Sequence, residues 1–238
     1  MRDDIAAELA SLRQNTRNAF AAGAAISAGA VINSRMTAQD MLNIVTDNGP
    51  PKTTYVRDAF KYPERVLIPA GTRLYKFNTT RDLFIPNSAE SRNEKPISAW
   101  WSPYHAYRHD PGWLQKRAMA QHFKVSLREY GRNTSAIKED WNTLSWLGMI
   151  TLKVSAWALF GGFAAMDRRT GHADNLLKQA SKPYAKASYL DAIKEAGGNR
   201  LEKKGTTNRL PGGGSQFYIP NLYLSHIENY KVEPMVNI

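Results

Sequence analysis

Apolar positions along the chain fall into short clusters separated by long polar or glycine-rich stretches. The first cluster has helical spacing, with Ile5, Leu9 and Leu12 on one face of residues 3–18 and charged or polar side chains elsewhere. The Ala-rich run 19–32 extends this helix or starts a second one. Thr37 is placed as the N-cap of a short helix carrying Met41, Leu42, Ile44 and Val45. Asn48-Gly49-Pro50-Pro51 stops that pattern, so a boundary is expected there, between a helical N-terminal segment (1–50) and a mixed domain (51–238). Residues 53–65 are polar and aromatic with no clear period. Beyond the turn Pro69-Ala70-Gly71, residues 73–77 read as a strand, and residues 97–101 as a second that Pro103 ends. Residues 149–160 form a long apolar run with β-branched members, expected to be a strand and its extension broken by Gly161-Gly162. Helical spacing returns over 113–124 and 173–196. Pro211 and the glycines 212–214 cannot continue a helix; they predict a sharp turn leading into Phe217-Tyr218-Ile219, which Pro220 closes. Residues 222–236 carry one last strand or two. The strands come singly, without a β-α-β rhythm and without G-x-G-x-x-G, which predicts an α+β fold.

Composition narrows the classes. The 238 residues fit one sizeable domain with room for a small appendage, and 6 Trp, 11 Tyr and 8 Phe supply a packed core. The absence of cysteine excludes disulfides, thiolate catalysis and thiolate zinc sites; it suits the cytosol, or a protein that works in both reducing and oxidising surroundings. A formal charge of +11 favours anionic partners: nucleotides, nucleic acid or an acidic binding protein. The run 19–32 falls short of the roughly 20 apolar residues that a spanning helix needs. Asp3, Asp4 and Glu8 ahead of it are wrong for a signal-peptide n-region. No membrane span is expected.

Several stretches carry candidate chemistry. Arg73 opens a strand after a glycine turn, where a planar guanidinium could hold a pyrophosphate at two points, or could simply sit exposed on an edge strand. Gln216 stands at the mouth of the strand delivered by the glycine turn. His105 and His109 are four apart and could share a helical face with a third ligand such as His122, but Pro103 and Pro111 oppose a helix and no Glu lies between them; no metal site is expected. The basic tract from Lys178 to Arg209 either faces nucleic acid or is a solvated helical face, and it lacks the interleaved aromatics of an RNA-reading module. G-x-S-x-G is absent, so a serine hydrolase finds no support.

Taken in order, T-R-L-Y-K-F (72–77), I-S-A-W-W-S (97–102) and G-G-G-S-Q-F-Y-I-P (212–220) resemble the three-part signature of the ADP-ribosyltransferase fold: an arginine on the first core strand, a serine on the second, and a glutamate or glutamine opening a later one. The resemblance covers about 66–238. Gln216 stands where many transferases have glutamate, and the glycine-rich lead into Gln-aromatic, with I-P-A-G-T-R before the first strand, is similar to NAD glycohydrolase toxins of the tuberculosis-necrotizing-toxin type. The resemblance implies a split β-sheet core and cleavage of NAD, as a substrate, at the nicotinamide–ribose bond, by transfer or hydrolysis. It implies that Arg73 grips the NAD phosphates, that Ser98 braces the first strand and orients the nicotinamide half, and that Trp100 or a nearby ring packs on the nicotinamide. Tyr75 and Gly214 complete the implied NAD contacts, and Gln216 hydrogen-bonds the ribose as the bond breaks. It further implies a secreted or delivered bacterial effector acting in a target-cell cytoplasm, a protein or nucleic-acid acceptor in the transferase case, and a cognate immunity protein. The second class left open is a basic nucleic-acid-binding protein or metal-independent nuclease working through the tract 178–209.

Overall fold

The structure, a computed structural model, describes residues 9–14, 17–18, 31–47, 53–79, 81, 95–103, 131–132, 135–137, 142, 144–167, 209–210 and 214–235. The strands are Val31–Ile32 (β1), Val45–Asp47 (β2), Thr54–Tyr55 (β3), Phe60–Ile68 (β4), Arg73–Asn78 (β5), Trp100–Trp101 (β6), Trp146–Leu152 (β7), Ser155–Phe163 (β8), Met166–Asp167 (β9), Arg209–Leu210 (β10), Ser215–Tyr218 (β11) and Ile227–Pro234 (β12). With the short helix Ala38–Leu42 and the 3₁₀ turns Val56–Ala59 and Leu224–His226, they make a mixed α/β chain, mostly strands with few helices among the described residues.

β8 is the spine of the larger sheet. It pairs antiparallel with β4 along one side. Along the other it takes β1 in parallel and then β11 antiparallel, and β6 adds to β11. A second sheet has the order β12-β7-β5, antiparallel throughout. The expected single strand over 149–160 is in fact two, in different sheets: β7 ends at Leu152 and β8 begins at Ser155. Continuous apolarity hides this crossing, because β8 is buried on both faces and so shows no alternation. Gly161-Gly162 lies inside β8 rather than ending it.

The two faces of the larger sheet bury different clusters. Val66, Ile68, Ala156, Ala158, Phe160, Trp101 and Phe217 meet Leu74, Ile150 and Leu152 of the smaller sheet, forming the core between the sheets. On the opposite face Leu67, Trp157, Leu159, Phe60 and Tyr218 are covered by Met41 and Val56. Thr37 caps the helix bearing Met41 as expected: its hydroxyl accepts from Asp40 N–H at 3.1 Å while Asp40 accepts from Thr37 N–H at 2.7 Å. Residues before the Asn48–Pro51 break belong to the same clusters as those after it. Leu9 and Ile32 lie in the inter-sheet core, Met41 lies in the outer cluster, and Arg13 pairs with Glu64 of β4. The N-terminal segment is helical at 9–14 and 17–18 and contributes strands at 31–32 and 45–47. The expected helices over 113–124 and 173–196, the three histidines 105, 109 and 122, and the basic tract up to Lys204 lie outside the described residues.

Candidate functional site

The three stretches singled out in the sequence converge at the junction of the two sheets. Among the described residues the sheets are joined by a bridge in which Tyr75 of β5 and Ser102, just past β6, exchange both backbone hydrogen bonds, at 2.9 and 2.6 Å. On the other side of β6 the register pairs Trp101 with Phe217 and Trp100 with Tyr218, which sets Ser102 level with Gln216. Tyr75, Ser102 and Gln216 therefore form one row across β5, β6 and β11. Directly opposed residues share a face of a pleated sheet, as do residues two apart on a strand. Arg73, Tyr75, Trp100 and Gln216 thus belong to one side of this ladder. Leu74, Trp101 and Phe217 belong to the other and fill the inter-sheet core. With strands about 4.8 Å apart, Tyr75 and Gln216 stand about 10 Å from each other, and Arg73 lies about 7 Å further along β5.

Gln216 is buried, at 1% exposure. Its Nε2 donates to the carbonyl of Ala59 at 2.8 Å, and its Oε1 is buried with no hydrogen-bond partner. Its cover comes from the corner where the 3₁₀ turn Val56–Ala59 enters β4. The Phe60 ring stacks on Trp100 at 5.7 Å and Trp100 tilts against Tyr218 at 4.7 Å. β4 also bulges between Lys61 and Glu64, where Tyr62 takes φ +53°. That bulge presses on Gly161, the partner of Gln216 in β8: a Cβ there would lie 2.8 Å from Lys61 O and 3.1 Å from Tyr62 O.

The remaining expected residues are placed as follows. Arg73 is exposed at the start of β5 and Tyr75 is half-buried. Ser98 folds back on its own segment: its Oγ accepts from Trp100 N–H at 3.2 Å and its carbonyl from Trp101 Nε1–H at 2.6 Å. It fixes both tryptophans rather than pointing at a cleft partner. Gly214 gives its carbonyl to Phe163 N–H at 2.8 Å and so starts β11. Burial pushes the Tyr218 phenol up. No group of three metal-ligating side chains occurs among the described residues, and no helix among them is long and apolar enough to cross a membrane.

Sequence reasoning missed Ser102, Ala59, Phe60 and Gly161, whose roles arise from pairings between residues far apart in the chain. It also missed Lys76, on the opposite side of β5 from Arg73. Its ammonium lies 5.7 Å from the Trp101 ring centroid, and burial lowers its pKa to about 8. The folded protein then releases that proton at a lower pH than the unfolded chain, whose lysine keeps the ordinary value of 10.5. Between these values the unfolded chain binds more protons, so stability rises with pH. Thermal unfolding in matched buffers is expected to shift upward from pH 8 to pH 10, relative to a Lys76→Met variant measured over the same range.

No protein-family model matches the chain, and neither a curated protein nor a solved structure matches it.

Proposed function

We propose that this chain is an NAD-cleaving enzyme with a split-sheet core of the ADP-ribosyltransferase type, which breaks the nicotinamide–ribose bond by hydrolysis or by transfer of ADP-ribose. The observation that carries the reading is the row Tyr75–Ser102–Gln216, with Arg73 and Trp100 on the same side of the ladder. Nicotinamide leaves as a neutral group from an oxocarbenium-like centre, so the protein must supply fixed dipoles and positioning more than a strong nucleophile. Gln216 suits that work. Its amide nitrogen is held by Ala59 O, which fixes Oε1 as an acceptor for a ribose hydroxyl. A buried acceptor without a partner is a group whose presence asks for an explanation, and a ribose hydroxyl donating to Oε1 provides one. Arg73, exposed on the same side, would take the phosphates, and Trp100 the nicotinamide ring. Ser98 acts through the tryptophans it holds and is a positioning residue. The net charge of +11 favours attraction of anionic NAD. The role as a delivered effector, with an immunity protein guarding its producer, belongs to the same proposal.

Nicotinamide release from purified full-length protein and NAD tests it. The assay is run with and without cell lysate, with NAD labelled in its ADP-ribose part. Label on protein or nucleic acid identifies a transferase, and free ADP-ribose alone a glycohydrolase. No nicotinamide under either condition overturns the reading. Arg73→Lys keeps the charge but loses the planar fork. It is expected to weaken NAD binding by about 1.5–3 kcal/mol, the worth of one hydrogen bond to a charged group; unchanged affinity in a direct titration removes Arg73 from the site.

A further inference from the structure

Around the end of β5, on the side away from Arg73, lie two cationic side chains and a buried amide donor without a partner. Lys76 takes part in no ion pair among the described residues, and its contact with Trp101, at 5.7 Å, supplies a ring face rather than a counter-charge. Two residues on, Asn78 is only 6% exposed, and its Nδ2 is buried with no hydrogen-bond partner. The β7 residues opposite are Gly148 and Trp146. Gly148 brings no side chain beside Lys76. Over the Trp146 ring, at 4.9 Å, lies the guanidinium of Arg81. Lys76, Asn78, Gly148 and Trp146 share one face by the pleat, because each pair is directly opposed and the pairs are two residues apart. One corner thus gathers two cations, one buried amide donor and two indole walls, with no carboxylate among the described side chains that form it.

What this corner lacks, among the described side chains, is negative charge. A carboxylate brings one charge and two oxygens, whereas a phosphate group brings close to two charges and at least three oxygens, matching two cations and a third donor. We propose that Lys76, Asn78 and Arg81 form a binding site for a phosphate group, separate from the Arg73–Gln216 side of the ladder. The lowered pKa of Lys76 is consistent with a partly desolvated ammonium that has no counter-charge among the described residues, and a bound phosphate would raise it again.

The test uses the full chain in phosphate-free buffer, titrated with inorganic phosphate and, in parallel, with a phosphomonoester; acetate at equal ionic strength is the control. Binding is read by calorimetry and by the shift in unfolding temperature. Phosphate is expected to bind and to raise the unfolding temperature, and acetate to do neither. Tighter binding of the monoester would mean that the phosphate is presented on a larger molecule, and equal binding that the free ion is the ligand. Lys76→Met is expected to weaken binding at least tenfold and Asn78→Leu several-fold. Both variants, without phosphate, should unfold at or above the wild-type temperature, since Asn78→Leu removes a buried amide nitrogen without a partner and Lys76→Met a partly desolvated charge without an ion pair among the described residues. Lys153→Met, just past the far end of β7, should leave phosphate binding unchanged. Absence of a phosphate effect beyond that of acetate overturns the site, as does phosphate binding that Lys76→Met retains in full or that Lys153→Met abolishes. Should the Lys76 or Asn78 variants not fold, the wild type decides alone: its phosphate affinity must fall as pH rises from 7.5 through about 9.5, and a constant affinity overturns the site.

Discussion

Gln216→Ala is expected to reduce NAD cleavage by roughly 10²-fold or more, as loss of a preorganised polar group at a reacting centre does, while the protein still folds. The structural cost is modest because of how Gln216 is held. Ala59 O, which loses the Gln216 amide, keeps the backbone N–H of Ala164 at 2.9 Å and is not orphaned. The buried Oε1, which has no partner, disappears with the side chain, and that offsets part of the lost packing. A net destabilisation of about 1–2 kcal/mol is expected from one hydrogen bond and a small cavity. Gln216→Glu separates the roles further. A carboxylate facing Ala59 O meets an acceptor where the amide offered a donor, so the site favours the protonated acid, and burial raises its pKa as well. Activity of Gln216→Glu is therefore expected to be low at neutral pH and to recover partly as pH falls. Nicotinamide release across pH, with thermal unfolding alongside, reads both effects. Full turnover by Gln216→Ala would end the assignment of this residue and, with it, the proposed chemistry.

Features set by neighbouring residues were legible in the sequence. Thr37 and Asp40 close a capping box within four residues. Gly71, at φ +81°, makes the turn that starts β5, and the glycine run ahead of β11 marks that strand. Features set by pairing between distant segments were not. β4 reads poorly because Tyr62, Pro63 and Glu64 interrupt its alternation, and these are the residues of its bulge. The crossing from β7 to β8 is marked only by Lys153 within an apolar run. The ordered spacing of Arg73, Ser98 and Gln216 was visible; pleat and register place Arg73 and Gln216 on one side of a ladder, whereas Ser98 folds back on the tryptophans of its own segment. The burial of Gln216 was not visible, because Ala59, Phe60 and Gly161 acquire their positions around it only when β4, β8 and β11 pair.

The closeness of that pairing makes Gly161→Ala the sharpest test of the cover over Gln216. A methyl group at 161 would meet Lys61 O at 2.8 Å, Phe60 Cδ1 at 3.0 Å and Tyr62 O at 3.1 Å. Two of these are backbone atoms and cannot swing aside, so β4 must shift over the length of its bulge. Overpacking of this kind costs about 1–3 kcal/mol. The shift also pulls Phe60 from Trp100 and Ala59 from Gln216, because both residues lie where the chain enters β4. Faster amide hydrogen exchange over residues 59–64 and a change in tryptophan fluorescence are expected with the loss of stability. NAD turnover should fall as well, since Gln216 loses the partner that aims it. Gly71→Ala is the matched control: its positive φ strains alanine, but nothing lies within 4 Å of the added Cβ, so the cost should stay near the 1–2 kcal/mol of a left-handed conformation and the exchange of residues 59–64 should not change. If Gly161→Ala leaves exchange in that segment at its wild-type rate, the β4 corner does not rest on Gly161, and the orientation of Gln216 must be set by something else.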